Sequence, residues 1–338
     1  MVMKIQSWVL AASMFVTACG VSDARIGGGD EYGETEGALG APLAEVHCTG
    51  TPDTGSAGRW RHLKSYLIAG LGEARHRGVD LVASSSDSSQ VIRGEATYGV
   101  NDKALEDEWV QLYACRSGSW SYLGPVLTDG EGRFSLTLTG SARLPSGVRD
   151  LFVSVFGDRT SARFTAVVAP AGTQVVVSDI DGTLTSAENA FPESLVGLGN
   201  VAAQPNAPAA LATLRDHGYA IVYITARGRY FTPETRAWLS AKGFPAGALR
   251  LAPSLVTLPG QPTVDYKAGA MRALALPVTV GIGNRATDVQ AYQAVGVAGA
   301  RTFVKLPEYS SELQGALGSG AAVGFTDYGA LVPVFGGF

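Results

Sequence analysis

Charge is scarce in this 338-residue chain. Only 17% of its residues are charged, the formal net charge is −4, and no large basic block occurs. A surface that neutralises nucleic-acid phosphates needs clustered Lys and Arg, so bulk nucleic-acid binding is excluded. Histidine is rare too, with four in all, and His62 and His76 stand alone. Isolated imidazoles fit solvated or structural roles better than ligation. Past the N-terminal region no apolar run is long enough to span a bilayer, which takes about 20 residues. Cysteine appears three times, as Cys19, Cys48 and Cys115. Apolar residues are plentiful by contrast. At 46% hydrophobic, a chain of this length has material for two domains with their own cores.

Residues 1–18 read as a signal peptide. Lys4 precedes an apolar stretch from Trp8 to Val16, and small residues follow. The segment Val16-Thr17-Ala18-Cys19 resembles a bacterial lipobox. That resemblance implies cleavage before Cys19, a lipid on its sulfur, and an exported lipoprotein on a membrane facing the periplasm or cell exterior. An ordinary signal peptide with a coincidental cysteine is the plainer alternative. With Cys19 lipidated, Cys48 and Cys115 remain as one even pair in an oxidising compartment. They are open to a disulfide or to staying as two thiols. Residues 19–57 read as a flexible linker behind the lipid anchor. Gly27-Gly28-Gly29, acidic residues and scattered Pro, Ser and Thr give no periodic apolar face. As a coil this segment would span roughly 35 Å.

Residues 58–170 carry a short helix and then a β-rich domain. Leu63, Tyr66, Leu67 and Ala69 recur at helical spacing between Trp60 and Gly70. After Gly78 come short, often alternating runs such as Trp109–Tyr113, Phe134–Leu138, Phe152–Phe156 and Ala162–Val167. Turn sequences such as Asp129-Gly130-Glu131-Gly132 separate them. This rhythm predicts a β-sandwich. From 171 to 338 strand-like runs alternate with helix-like segments. The strands are Val175–Ser178, Ala220–Ile224, Leu249–Ala252, Val278–Gly281 and Thr302–Lys305. The helices are Pro208–His217, Pro233–Lys242, Lys267–Leu274 and Thr287–Val295. Such alternation predicts an α/β domain with a doubly wound parallel sheet, whose site lies beyond the C-terminal strand ends.

Four features fall at those ends. They are Asp179-Ile180-Asp181-Gly182-Thr183, Thr225-Ala226-Arg227, Lys267, and Gly283-Asn284-Arg285-Ala286-Thr287-Asp288. Each residue type suits one task in phosphomonoester hydrolysis. One carboxylate attacks phosphorus and forms an acyl phosphate, and a second, two residues on, handles protons. A glycine turn, hydroxyls and cations hold phosphoryl oxygens. Carboxylate and amide oxygens from the first and fourth loops suit Mg²⁺.

The order and form of these motifs resemble the haloacid dehalogenase-like phosphatases. Within them they resemble the lipin family of phosphatidate phosphatases, in its LNS2-type catalytic domain. Ser178-Asp179-Ile180-Asp181-Gly182-Thr183-Leu184-Thr185, Tyr223-Ile224-Thr225-Ala226-Arg227 with Thr235-Arg236-Ala237-Trp238-Leu239, and Gly281-Ile282-Gly283-Asn284-Arg285-Ala286-Thr287-Asp288-Val289 carry the similarity. Arg75–Asp80, Tyr98–Lys103 and Leu105–Glu108 look like the immunoglobulin-like domain that accompanies it. The resemblance implies Asp179 as nucleophile and metal ligand, and Asp181 as general acid/base and carbonyl ligand. Gly182, Thr183, Thr225, Ala226, Arg227 and Lys267 would hold phosphate. Asn284 and Asp288 would complete a Mg²⁺ site. It also implies hydrolysis of phosphatidic acid to diacylglycerol and phosphate at a membrane surface.

Two alternatives stay open, namely the same chemistry on a soluble phosphomonoester and a non-catalytic phosphatidic-acid-binding module. Non-catalytic relatives lack the intact acidic pair, which this chain keeps. The short stretch from Arg227 to Asp265 leaves no room for a large cap, which suits a bulky or membrane-held substrate. Arg227 and Arg229 read equally as head-group contacts or as loop caps.

Overall fold

The computed structural model describes residues 40–186, 201–253 and 257–338. The signal peptide and Cys19 lie outside the described residues. Among the described residues no helix is long and apolar enough to cross a membrane.

The first domain opens with β1 (Glu45–Val46) and α1 (Leu63–Leu71). The strands that follow are β2 (Arg77–Val79), β3 (Leu81–Ser84), β4 (Ser89–Glu95), β5 (Thr97–Tyr98), β6 (Lys103–Ala104), β7 (Trp109–Arg116), β8 (Ser119–Leu127), β9 (Arg133–Thr139), β10 (Gly147–Val155) and β11 (Ser161–Ala169). One sheet runs β3-β11-β10-β7-β8, and a three-stranded sheet runs β2-β4-β9. Ile92, Phe134 and Leu138 of the smaller sheet pack with Leu112, Leu151, Val153 and Phe164 of the larger one. Alternation puts those side chains inward, so the predicted sandwich forms.

The linker, expected to run to residue 57, gives way to fixed structure earlier. β1 pairs in parallel with β10, Glu45 opposite Val148 and Val46 opposite Arg149. Cys48 and Cys115 form a disulfide with Cα atoms 5.6 Å apart. The Cys48 N–H donates to Asp150 at 3.0 Å, and the Gly58 N–H donates to the Phe156 carbonyl at 2.8 Å. These partners lie far along the chain, so a local reading of composition cannot find them.

The second domain is a wholly parallel sheet in the order β14-β13-β12-β15-β16-β17. Its strands are β12 (Val175–Ser178), β13 (Ala220–Gly228), β14 (Ala248–Ala252), β15 (Val278–Gly283), β16 (Thr302–Lys305) and β17 (Val323–Phe325). Its helices are α2 (Ala207–Asp216), α3 (Thr232–Ala241), α4 (Gln261–Arg272), α5 (Ala286–Gln293), α6 (Ser310–Gly318) and α7 (Leu331–Phe335). Side chains of α2, α3 and α7 cover one face of the sheet, and those of α4 and α5 the other. The doubly wound architecture is therefore as expected. Two boundaries at the site differ. Strand β13 runs on to Gly228, so Thr225, Ala226 and Arg227 lie within it. Helix α4 begins at Gln261, after Gly260 in the left-handed region (φ 83°), with Pro262 in its first turn. Lys267 thus sits in the body of the helix and not at its start.

The two domains share a core. Val82, Val148, Val167 and Ala169 of the sandwich pack in one cluster with Val175, Ala220 and Ala248 of the parallel sheet. A polar joint reinforces it. The Asp80 side chain is fully buried, and both its oxygens accept from Arg236 Nη2 at 2.8 Å. Asp80 also accepts the N–H of Leu249 (2.7 Å) and of Thr165 (2.8 Å). Arg75 reaches Glu234 at 3.1 Å.

Candidate active site

Strand β12 lies centrally, between β13 and β15. Its four residues are buried, so it delivers Asp179 to the C-terminal edge with little freedom. The Asp179 N–H donates to the Ile282 carbonyl at 2.9 Å, which locks the loop to the end of β15. Gly182 follows with φ 70°, a conformation that penalises a side chain. Its N–H donates to Thr185 Oγ1 at 2.8 Å. The buried Tyr328 hydroxyl holds the Thr183 carbonyl from beyond the loop at 3.0 Å. Gly283 is required for space, because a Cβ there would meet Asp288 Cβ at 2.5 Å.

The structure gathers five of the predicted residues into one buried cluster. Lys267 Nζ donates to Asp179 Oδ1 at 2.6 Å and to Asp288 Oδ1 at 2.5 Å. The Thr183 hydroxyl reaches Asp179 Oδ2 (2.9 Å) and Asn284 Oδ1 (3.1 Å). Asp288 Oδ2 accepts the N–H groups of Asn284 and Arg285, each at 3.0 Å, so this carboxylate also caps α5. Burial opposes a charged lysine here. Asp179 and Asp288 outweigh that penalty, and the Lys267 pKa is raised above an ordinary lysine's.

Asp181 belongs to a second, adjoining group. Arg227 Nε contacts both of its carboxylate oxygens (3.0 and 2.9 Å) and Nη2 donates to Oδ1 at 2.6 Å. Thr225 Oγ1 donates to Oδ2 at 2.8 Å. Arg227 is fixed in turn by Thr235 on α3, at 3.2 Å. Of the expected phosphate holders, Thr225 and Arg227 therefore bind Asp181. The Ala226 carbonyl accepts the Thr257 hydroxyl at 3.1 Å. Arg227 is 2% exposed and does not face solvent as a head-group contact would. Arg229 pairs with Glu95 of the sandwich, and Tyr230 lies under the Arg75 guanidinium at 4.4 Å. Thr235 and Glu95 were not foreseen as site residues. Thr235 stands inside a quoted motif, but nothing local in sequence says that its hydroxyl faces Arg227.

Among the described residues no group of three or more His, Cys, Asp or Glu side chains is placed to hold a metal. The candidate set is two carboxylates and one amide, with Asp181 turned aside. The donor chemistry nevertheless fits a hard divalent cation. Asp179 and Asp288 share one ammonium through their Oδ1 atoms, and Asp179 Oδ2 and Asn284 share one hydroxyl, so anionic and amide oxygens lie in one connected cluster.

Two family models match the chain. Residues 74–168 match the β-sandwich domain of PITM 1-3, and residues 176–305 match its LNS2 domain. The chain carries these two domains in that order. The LNS2 part of the expected resemblance thus stands, while the relatives found are PITM proteins and not lipins. Human membrane-associated phosphatidylinositol transfer protein 2 is 29% identical over 250 residues, covering 73% of this chain and 18% of that protein. Mouse membrane-associated phosphatidylinositol transfer protein 3 is 29% identical over 235 residues, covering 68% and 23%. Drosophila melanogaster protein retinal degeneration B is 26% identical over 238 residues, covering 68% and 18%. The chain spans about a fifth of the length of these curated relatives.

Proposed function

We propose that this chain is a phosphomonoester hydrolase working through an aspartyl-phosphate at Asp179, with phosphatidic acid as its substrate. The observation that carries this reading is the buried cluster at the end of β12. It presents Asp179 with a lysine ammonium at 2.6 Å and a hydroxyl at 2.9 Å. An Asp179 oxygen attacks phosphorus, the bond to the leaving alkoxide breaks, and Asp181 gives that alkoxide a proton. Water then attacks the acyl phosphate, Asp181 takes its proton, and Asp179 and inorganic phosphate are released. Lys267 faces the charge that builds on the phosphoryl oxygens.

Asp179, Asn284, Asp288 and the Asp181 carbonyl would hold Mg²⁺, which would offset repulsion between the nucleophile and an anionic substrate. In the arrangement seen, both Asp181 oxygens accept hydrogen bonds. That suits the base step, whereas the acid step needs Arg227 to give way. Phosphatidic acid is favoured by the LNS2 match, by relatives named for phosphatidylinositol transfer, and by the short stretch from Arg227 to Asp265, which leaves no room for a large cap. A lipid anchor at Cys19 would hold the protein at such a surface.

The hold of Arg227 on Asp181 also favours a second reading, phosphatidic-acid binding without turnover. Phosphate release from phosphatidic-acid vesicles, p-nitrophenyl phosphate and soluble phosphosugars, with and without Mg²⁺, separates these readings. Preferred, Mg²⁺-dependent release from vesicles is expected. Vesicle binding with no release would leave only the second reading.

A further inference from the structure

Helix α1 turns its leucines outward. Leu63, Leu67 and Leu71 recur at i, i+4 and i+8, which places them on one face of the helix. They are 74%, 53% and 88% exposed, and Tyr66 beside them is 59% exposed. Val100, in the turn between β5 and β6, is 79% exposed. The side of the helix that meets the sandwich is small or modest in size, with Ser65 buried and Ile68 and Ala69 packed on the core. Monomeric proteins seldom gather so many exposed apolar side chains in one patch.

A cavity of about 500 Å³ opens beside the stripe, within the size range of ligand sites. Ile68, Leu71, Tyr98, Val100 and Tyr230 give it apolar walls, and Lys103 stands among them.

The charges around the patch choose its occupant. The exposed acids nearby have basic partners, and the buried Glu108 accepts the N–H groups of Arg61 and His62. Glu106 pairs with Lys64 at 2.6 Å, Asp107 with Arg61 and His62 at 3.0 Å, Asp102 with Arg77 at 2.9 Å, and Glu73 with Arg75 at 3.4 Å. Arg59 and Lys103 are exposed and, among the described residues, have no carboxylate partner. Of these exposed charged side chains, the two left without an opposite partner are both cations.

We infer that α1 and the Gly99–Lys103 turn form a docking face for a lipid bilayer bearing anionic head groups. The leucine stripe enters the acyl boundary, the cavity takes part of a chain, and Arg59 and Lys103 meet the head groups. The face adjoins the candidate site, because Tyr230, which lines the cavity, follows Arg227 by three positions, just past the end of β13. The choice of lipid rests on the phospholipid reading of the site, but docking needs no turnover.

The test uses the full chain, comparing parent, Leu67→Glu/Leu71→Glu and Lys103→Glu. Vesicles are phosphatidylcholine alone or phosphatidylcholine with phosphatidylglycerol, a phosphodiester that the proposed hydrolase would not cleave. Partition is read by sedimentation, and hydrogen exchange is followed over residues 63–71 and 99–103. The expected result is protection of both segments by anionic vesicles only. Partition should fall at least roughly tenfold in the leucine double variant, and less in Lys103→Glu, because hydrophobic insertion supplies most of such binding. The substituted side chains are exposed, so unchanged circular dichroism and p-nitrophenyl phosphate turnover certify the fold.

Equal partition of all three proteins, with neither segment protected, would overturn the inference. So would protection of α1 without vesicles that disappears on dilution, which would mark a second copy of the chain on this face. If docking fails while phosphate release persists, only this inference falls. If release fails while docking persists, only the hydrolase reading falls.

Discussion

Replacing Asp80 by Ala should loosen the joint between the two domains more than any exposed substitution. The carboxylate is fully buried, accepts Arg236 on both oxygens at 2.8 Å, and takes two backbone N–H groups at 2.7 and 2.8 Å. Truncation leaves the guanidinium and two amides facing each other with no acceptor. Removing one partner of a buried pair costs about 3–5 kcal/mol, and each orphaned amide adds about 1–3 kcal/mol. Arg236 keeps 23% of its side chain exposed, so water recovers part of that loss. The expected net destabilisation is about 4 kcal/mol, a large share of the 5–15 kcal/mol typical of a folded domain. Urea unfolding of the full chain, followed by far-ultraviolet circular dichroism and tryptophan fluorescence, measures it. Arg133→Ala, which breaks only exposed pairs with Asp129 and Glu131, should leave the midpoint unmoved. A loss below about 1 kcal/mol for Asp80→Ala would refute the reasoning, because the interface would then not depend on this acceptor.

Three further outcomes are expected. Lys267→Met leaves Asp179 and Asp288 without their shared cation, so stability should fall by about 3–5 kcal/mol and added Mg²⁺ should restore more of it than in the parent, read by thermal melts. His76 is held neutral by burial, with its pKa lowered to about 4 and its ring bonded to Thr160 and to the Thr97 N–H. The unfolded chain binds that proton first, so stability should decline as pH falls from 6.5 towards 4, by up to about 3 kcal/mol, and His76→Gln should flatten the slope in urea titrations at each pH. Cys115→Ser opens a 67-residue covalent loop and should cost about 4 kcal/mol by chain entropy, measured against the oxidised parent.

The parallel domain was legible because β12 and its neighbours are continuous apolar runs with glycine or acidic turns at their ends. That rhythm places the strand ends that carry Asp179 and Asn284, whereas Lys267 and Asp288 lie within α4 and α5. The start of α4 was not placed well, because the apolar face begins only at Val264 while Gly260 and Pro262 mark the true boundary. Strand β17 and helix α6 are short and glycine-bearing, and α7 is a single short turn with a proline, so their pattern is weak. β1 is two residues long and is defined by pairing with β10 about a hundred positions away, so composition read it as linker. The hold of Arg227 on Asp181 spans 46 positions and changes what both residues do in the structure. A motif names the residues of a site, but long-range pairing decides which of them face each other.

The most direct test of the chemistry is where phosphorus goes. Mg²⁺-loaded full chain is mixed with phosphatidic acid carrying labelled phosphate, quenched in acid within a turnover, digested and mapped. The expected result is an acid-stable, hydroxylamine-labile label on the peptide containing Asp179, absent from Asp179→Asn. Phosphate release that proceeds equally in Asp179→Asn, with no labelled peptide in either protein, would contradict it.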